Sequence, residues 1–367
     1  MPKKNTENNT SALKAVDFFC GAGGVTCGFL KAGINVLGGI DIDETCKETY
    51  EKNNNSKFIH SDISKYKPEQ LQKDLNITPN DDNLIFIGCS PCQYYTIINT
   101  SKEKSAKSRL LLEDFKKFVD YFRPGFIFIE NVPGLESKKE SPLQTFKQYL
   151  YETGYFIDDK IINALDYEVP QNRKRYVLLA SRITNVIAIP KLKCGKGMTV
   201  RNFISEEKGF DRIPAGHKDL TDFQHSCAGL QAINIARLRS TPPDGGTRLA
   251  WKDDPELQLP CYVGKDDLFY DVYGRMYWDQ PSPTITTKFY STSNGRFAHP
   301  EQNRAISIRE GAVLQSFPLD YKFYSNSIEK AARMIGNAVP PNMARKIGQE
   351  IIKARKNASI QSQSKSS

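Results

Sequence analysis

Short, near-continuous apolar runs alternate with polar, helix-periodic stretches over the first half of the chain. Residues 15–19, 34–40, 57–60, 84–87, 126–129 and 175–180 predict strands. A stretch ending at Leu30, residues 44–53 and residues 109–122 predict helices between them. Strands apolar on both sides belong to a sheet covered on both faces, and alternation with helices supplies the crossovers of a parallel sheet. The predicted class is α/β, a doubly wound, mostly parallel sheet.

The texture changes further along. From about 191 to 282 Gly and Pro are frequent, long helical patterns are few, and Arg237, Arg239 and Arg248 cluster around Thr241-Pro-Pro-Asp-Gly-Gly246. Helical patterns return over 306–315, 328–335 and 341–351. This predicts a disordered lead-in at 1–13, a main domain at 14–190, a smaller irregular domain at 191–282, a return to the main domain at 283–355 and a disordered polar tail at 356–367.

Composition narrows the classes. Lys and Arg exceed Asp and Glu by 51 to 42, a net charge of +9 over 367 residues, which suits a polyanionic partner. No run of about 18 apolar residues occurs, so no membrane-spanning helix is expected. The polar first ten residues do not read as a secretory signal. Of the eight cysteines only Cys89 and Cys92 form a CxxC, without a second pair, so neither a disulfide framework nor a metal site is expected. Reduced thiols in the cytoplasm are the expectation.

Four segments carry chemistry. Asp17-Phe-Phe-Cys-Gly-Ala-Gly-Gly24 joins a strand to a helix, where glycines let backbone approach a ligand, and Asp41 closes the next strand, where a carboxylate can take a ribose diol. Gly88-Cys-Ser-Pro-Cys-Gln93 follows a strand and presents Cys92 at the sheet edge where ligands bind. Glu130-Asn-Val-Pro-Gly134 does the same for a carboxyl group. Gln171-Asn-Arg-Lys-Arg175 precedes a strand, which predicts Arg173 and Arg175 on one face. Taken singly, each has a plainer reading: a tight turn, a buried thiol, a cap or salt bridge, a solvated charge run.

Together these segments resemble the cytosine-C5 DNA methyltransferases. The resemblance rests on Pro91-Cys92-Gln93, Glu130-Asn131-Val132 and Gln171-x-Arg173-x-Arg175, in order and suitably spaced. It extends through Tyr273–Thr286, Arg309-Glu-Gly-Ala-Val-Leu-Gln-Ser-Phe-Pro318 and Ile335-Gly-Asn-Ala-Val-Pro-Pro341. The loop after the cysteine departs from the usual pattern: it reads Gln93-Tyr-Tyr-Thr96 where a Phe-Ser pair is usual, and it is Lys-rich rather than Gly-rich up to Arg109.

The resemblance implies a class I S-adenosylmethionine-dependent, Rossmann-like fold with a target-recognition domain, no metal, and a methyl transfer to C5 of a flipped-out cytosine in duplex DNA. It implies Cys92 as nucleophile, with Glu130, Asn131, Arg173 and Arg175 around the base. S-adenosylmethionine would lie against Phe19, Gly21, Ala22, Gly24, Asp41, Ile42, Asp62, Ile63, Pro91, Leu112, Asn337 and Ala338. Gln93, Thr96, Lys102, Lys104, Lys107, Arg109, Arg237 and Arg239 would meet DNA. A monomer is expected, in the cytoplasm at the nucleoid, either paired with a separately encoded restriction endonuclease or solitary. A tRNA cytosine methyltransferase shares the catalytic set; the long inserted region favours DNA.

Overall fold

The computed structural model describes residues 12–90, 102–137 and 141–365. The chain runs β1 (Lys14–Phe18), α1 (Gly24–Ala32), β2 (Asn35–Asp41), α2 (Lys47–Asn54), β3 (Lys57–His60), α3 (Pro68–Leu75), β4 (Leu84–Gly88), α4 (Lys102–Phe122), β5 (Phe126–Asn131), α5 (Gly134–Ser137), α6 (Pro142–Glu152), β6 (Phe156–Asn163) and β7 (Lys174–Ser181). It continues through α7 (Arg201–Ile204), α8 (Ala232–Arg239), α9 (Ile308–Leu314), α10 (Ile328–Asn337) and α11 (Pro341–Lys365).

One seven-stranded sheet has the order β3-β2-β1-β4-β5-β7-β6. The pairs among β1 to β5 are parallel, while β7 lies antiparallel to both β5 and β6. Every residue of β4 and β5 is buried. Alternation sends Val16, Phe18, Phe86 and Ile127 to one face, against Phe115, Phe118 and Phe122 of α4. It sends Ala15, Ile85, Ile87 and Phe128 to the other, against α1 and α11. Both faces are therefore covered, which is why these strands read as unbroken apolar runs.

The carboxyl ends of β1, β2, β4 and β5 share one edge, and the candidate site residues follow those ends. The region after β7 has few regular elements. Its flanks, Val200, Ile204, Phe210, Met276 and Trp278, pack with α9, α10, Tyr50 and Phe58. Trp251, Leu257 and Tyr273 form a small cluster of their own within it.

One expectation is corrected. The segment from 356, read as a disordered tail, continues α11 to Lys365. The chain holds no Gly or Pro after Gly348, and Arg355 fastens this part of the helix to Asn83 Oδ1 at 2.7 Å and to Ser359 Oγ at 2.7 Å. No helix among the described residues is long and apolar enough to cross a membrane.

Candidate active site

The glycine turn is shaped by backbone conformation. Phe19, Gly21 and Gly23 have φ of +62°, +48° and +85°. A Cβ on Gly23 would lie 2.4 Å from Asn54 Nδ2, and one on Gly24 would lie 2.4 Å from the Val339 carbonyl and 3.1 Å from Ala338 Cβ. The turn is thus pressed between α2 and the returning C-terminal segment, and only glycine fits there. On its other side Gly21 has open space where a Cβ would sit.

Asp41, at the end of β2, accepts from Gly21 N–H at 2.8 Å and from Asp43 N–H at 2.8 Å. Burial pushes its carboxyl up, and the two backbone donors pull the other way. Ile42 beside it is 65 % exposed, an apolar side chain free to cover a ring. Asp62 follows β3 and is oriented by Ser64, whose N–H and hydroxyl donate to Oδ1 at 3.0 and 2.7 Å. Ile63 and Leu112 are buried in the adjoining core. Asn337 is exposed and Ala338 half-buried at the end of α10. Open space over a bent glycine turn, a carboxylate ending β2, another following β3 and an exposed apolar side chain suit a nucleoside bearing a short charged tail. Beneath the turn, Asp17 accepts from the Thr26 hydroxyl at 2.7 Å, and burial raises its carboxyl to about 7.

Glu130, on β5, has Oε1 2.9 Å from Arg175 Nε on β7. The contact is an ion pair by distance without hydrogen-bond alignment, so this buried oxygen has no aligned donor among the described residues. Asn131 turns its amide toward Ser90, 3.4 Å from both the carbonyl and the hydroxyl oxygen. Ser90 begins the segment that leads to Cys92. Pro91, Cys92, Gln93 and Thr96 lie outside the described residues, as do the side chains of Lys102, Lys104, Lys107 and Arg109 on α4.

Arg173 and Arg175 do not act alike. Arg173 is buried and donates to the carbonyls of Ile285 at 3.0 Å, Gly336 at 3.2 Å and Ala338 at 3.2 Å. It ties the entry to β7 to the returning segment. Gln171 joins this knot, donating to Gln315 Oε1 at 2.6 Å and accepting from Ile285 N–H at 2.9 Å. Arg237 is also engaged within the protein. Its guanidinium donates to the Leu257 carbonyl and Asn234 Oδ1, both at 2.8 Å, and lies over the Trp251 and Tyr273 rings. A burial of this kind holds the small cluster together. Arg239 is exposed. No group of three or more metal-ligating side chains occurs among the described residues.

The profile of the C-5 cytosine-specific DNA methylase family matches residues 13–353. The type II methylase M.HgiDII of Herpetosiphon aurantiacus is 37 % identical over 343 residues, 92 % of this chain and 94 % of that protein. The type II methyltransferase M1.BsuMI of Bacillus subtilis is 28 % identical, covering 93 % of this chain and 81 % of its own. Among solved structures, a putative DNA modification methyltransferase encoded within an E. coli prophage superposes with a TM-score of 0.70 at 21 % identity, over 94 % of this chain and all of that one. The S. pombe Dnmt2 methyltransferase gives 0.62 at 17 % identity, over 93 % of this chain and 98 % of its own.

Proposed function

Because this chain belongs to the C-5 cytosine-specific DNA methylase family, we propose that it methylates C5 of a flipped-out cytosine in a short duplex DNA sequence, through a covalent bond from Cys92 to C6. The observation that carries the reading is the Glu130 carboxylate. It is buried at the end of β5, its Oε1 2.9 Å from Arg175 Nε and without an aligned hydrogen-bond donor among the described residues, and Asn131 beside it reaches toward the segment that leads to Cys92.

The chemistry follows from the reactivity of cytosine. C5 is a poor nucleophile until a thiolate adds at C6 and makes the ring enamine-like. Cys92 makes that addition, and Glu130 supports it by hydrogen bonding or protonating the ring N3. Arg175 keeps the Glu130 carboxyl in place. Bound S-adenosylmethionine supplies an electrophilic methyl group for the activated carbon. The glycine turn, Asp41, Asp62 and Ile42 would hold it, with Phe19, Ala22, Ile63, Pro91, Leu112, Asn337 and Ala338 completing the pocket. A base then takes the C5 proton and the thiol leaves. Since the target carbon is out of reach inside a duplex, the base must leave the stack.

The region at 191–282 reads sequence by this account, with Arg239 and the α4 cations meeting phosphates. The similarity to type II methylases supports a restriction–modification setting, with a separately encoded endonuclease, and the enzyme acts as a monomer in the cytoplasm at the nucleoid. Incubation with tritiated S-adenosylmethionine tests the reading: label enters C5 of cytosine in duplex DNA and not in tRNA. Label confined to tRNA, or no transfer to either, contradicts it.

A further inference from the structure

The hydroxyl of Tyr321 donates to the carbonyl of Ala22 inside the glycine turn, across 299 positions of sequence. Tyr321 is 3 % exposed and lies in the segment that follows α9. Its oxygen accepts from Asn54 Nδ2 at 2.9 Å, and the same amide nitrogen donates to the Tyr50 carbonyl at 2.8 Å, which fixes it on the last turn of α2. Burial pushes the phenol well up, so it stays protonated and able to donate.

The space around the turn has two sides. Behind it, a Cβ on Gly23 would lie 2.9 Å from the Tyr321 hydroxyl as well as against Asn54, so tyrosine, asparagine and glycine are fitted with no room to spare. In front, Gly21 faces open space and its N–H points to Asp41 Oδ2. The Ala22–Gly23 peptide is therefore held at both ends, its carbonyl by Tyr321 from behind the turn and its N–H by the Cys20 carbonyl at 2.9 Å. Without the Tyr321 bond only the N–H end stays held, and a carbonyl between glycines at positive φ can tilt about that anchor, carrying the ligand-facing groups with it.

We propose that Tyr321 is a positioning residue for the cofactor: its hydroxyl fixes the Ala22–Gly23 peptide so that the open face of the turn is preformed for S-adenosylmethionine. The proposal rests on the cofactor reading of that turn. It makes the returning C-terminal segment part of cofactor binding through a residue that does not touch the ligand.

A matched control exists in the same chain. Tyr155 is also 3 % exposed and donates its hydroxyl to a backbone carbonyl, that of Pro124 at 2.7 Å, but at the opposite, amino edge of the sheet. Each of Tyr321→Phe and Tyr155→Phe removes a buried hydroxyl–carbonyl bond, and Tyr321→Phe also removes the bond from Asn54 Nδ2, so both urea midpoints fall, that of Tyr321→Phe further. Calorimetry with S-adenosylhomocysteine separates them: Tyr321→Phe weakens binding roughly fivefold to tenfold, with KM for S-adenosylmethionine rising in step and kcat little changed, while Tyr155→Phe binds as the parent does. Asn54→Ala removes the bonds to the Tyr321 hydroxyl and the Tyr50 carbonyl but leaves the hydroxyl's own bond to Ala22, and it weakens binding by a smaller factor, which keeps the test open if Tyr321→Phe fails to fold. Unchanged affinity in Tyr321→Phe, or in Asn54→Ala should that be the only folded variant, overturns the proposal, as does equal weakening in both tyrosine variants. A parent chain that binds no S-adenosylhomocysteine overturns the cofactor reading itself.

Discussion

Glu130 and Arg175 meet across the antiparallel pair of β5 and β7, Oε1 to Nε at 2.9 Å, with side chains only 10 % and 14 % exposed. The register sets Glu130 opposite Val177, and Arg175 reaches it along the strand from near the start of β7. The contact with Arg175 fixes the direction of the carboxyl group. Arg175→Ala should therefore lower kcat about 10-fold to 100-fold, with S-adenosylhomocysteine affinity unchanged, and Arg175→Lys should recover part of the loss. Single-turnover methylation measures this; full activity in Arg175→Ala removes the pair from the reaction.

Arg173 does a different task, and its loss should register as instability. Arg173→Met takes the guanidinium donor from the carbonyls of Ile285 and Gly336 and leaves that of Ala338 with Gln315 Nε2 alone, at 2.9 Å. The expected cost is about 3–5 kcal/mol in urea unfolding. An undiminished midpoint with lost activity would return Arg173 to the base-binding site.

The buried pair Arg304–Glu310 gives an acid-side signature. Both side chains are 0 % exposed, and the guanidinium meets the two carboxylate oxygens at 2.7 and 2.8 Å. Glu310 also closes the capping box of α9 with Ser307. Burial pushes its carboxyl up, but Arg304 outweighs that and holds it at about 2. The folded value lies below the ordinary one of 4.5, so the contribution is present above pH 4.5 and is lost as pH falls toward 2. Neighbouring His299, lowered by burial to about 3, adds a loss of the same sign on acidification below its ordinary 6.5. Glu310→Gln should cost about 3–5 kcal/mol at pH 7 and flatten the decline in urea midpoint below pH 4.5. Parallel curves for variant and parent would contradict this.

Lys174, Lys191, Lys193 and Lys196 are exposed, and no ion pair engages them among the described residues. Cys194 N–H anchors the last three near the end of β6 through Asp166 Oδ1 at 3.1 Å, at the carboxyl edge. At the amino edge, by contrast, Lys14 and Arg182 are each paired with an aspartate at 2.7 Å. Unpaired cations on the catalytic side suit phosphates. Changing Lys191, Lys193 and Lys196 together to Gln should reduce the slope of log K against log salt by about 2–3, read by fluorescence anisotropy on duplex DNA. An unaltered slope makes the strip a solvated face.

Much of this arrangement is legible in the chain because burial on both faces writes itself as apolar runs. Residues 84–87 and 126–129 read as strands at sight, and with them the places where Cys92 and Glu130 come; the second strand runs on through Glu130 to Asn131. The strand Phe156–Asn163 does not, because its Asp158, Asp159 and Lys160 are polar yet half-buried, satisfied by Lys160, Lys147, Tyr176 and Ile189 N–H. The short helices Pro68–Leu75 and Pro142–Glu152 escape notice because each buries only a narrow stripe. Arg237 looks like a free cation until Trp251 and Tyr273 are brought around it by long-range packing. Tyr321 carries no local signal, since its partner lies 299 positions away.

The central claim is that Cys92 bonds to C6 of the target cytosine. Addition at C6 must be undone by loss of the C5 proton, and fluorine at C5 cannot leave as a cation. Duplex DNA carrying 5-fluorocytosine at the target should therefore give a denaturation-resistant complex that depends on S-adenosylmethionine. Peptide mapping should place the adduct on Cys92; Cys92→Ala should abolish it while Cys89→Ala retains it. An adduct on another cysteine, or turnover by Cys92→Ala, would contradict the account.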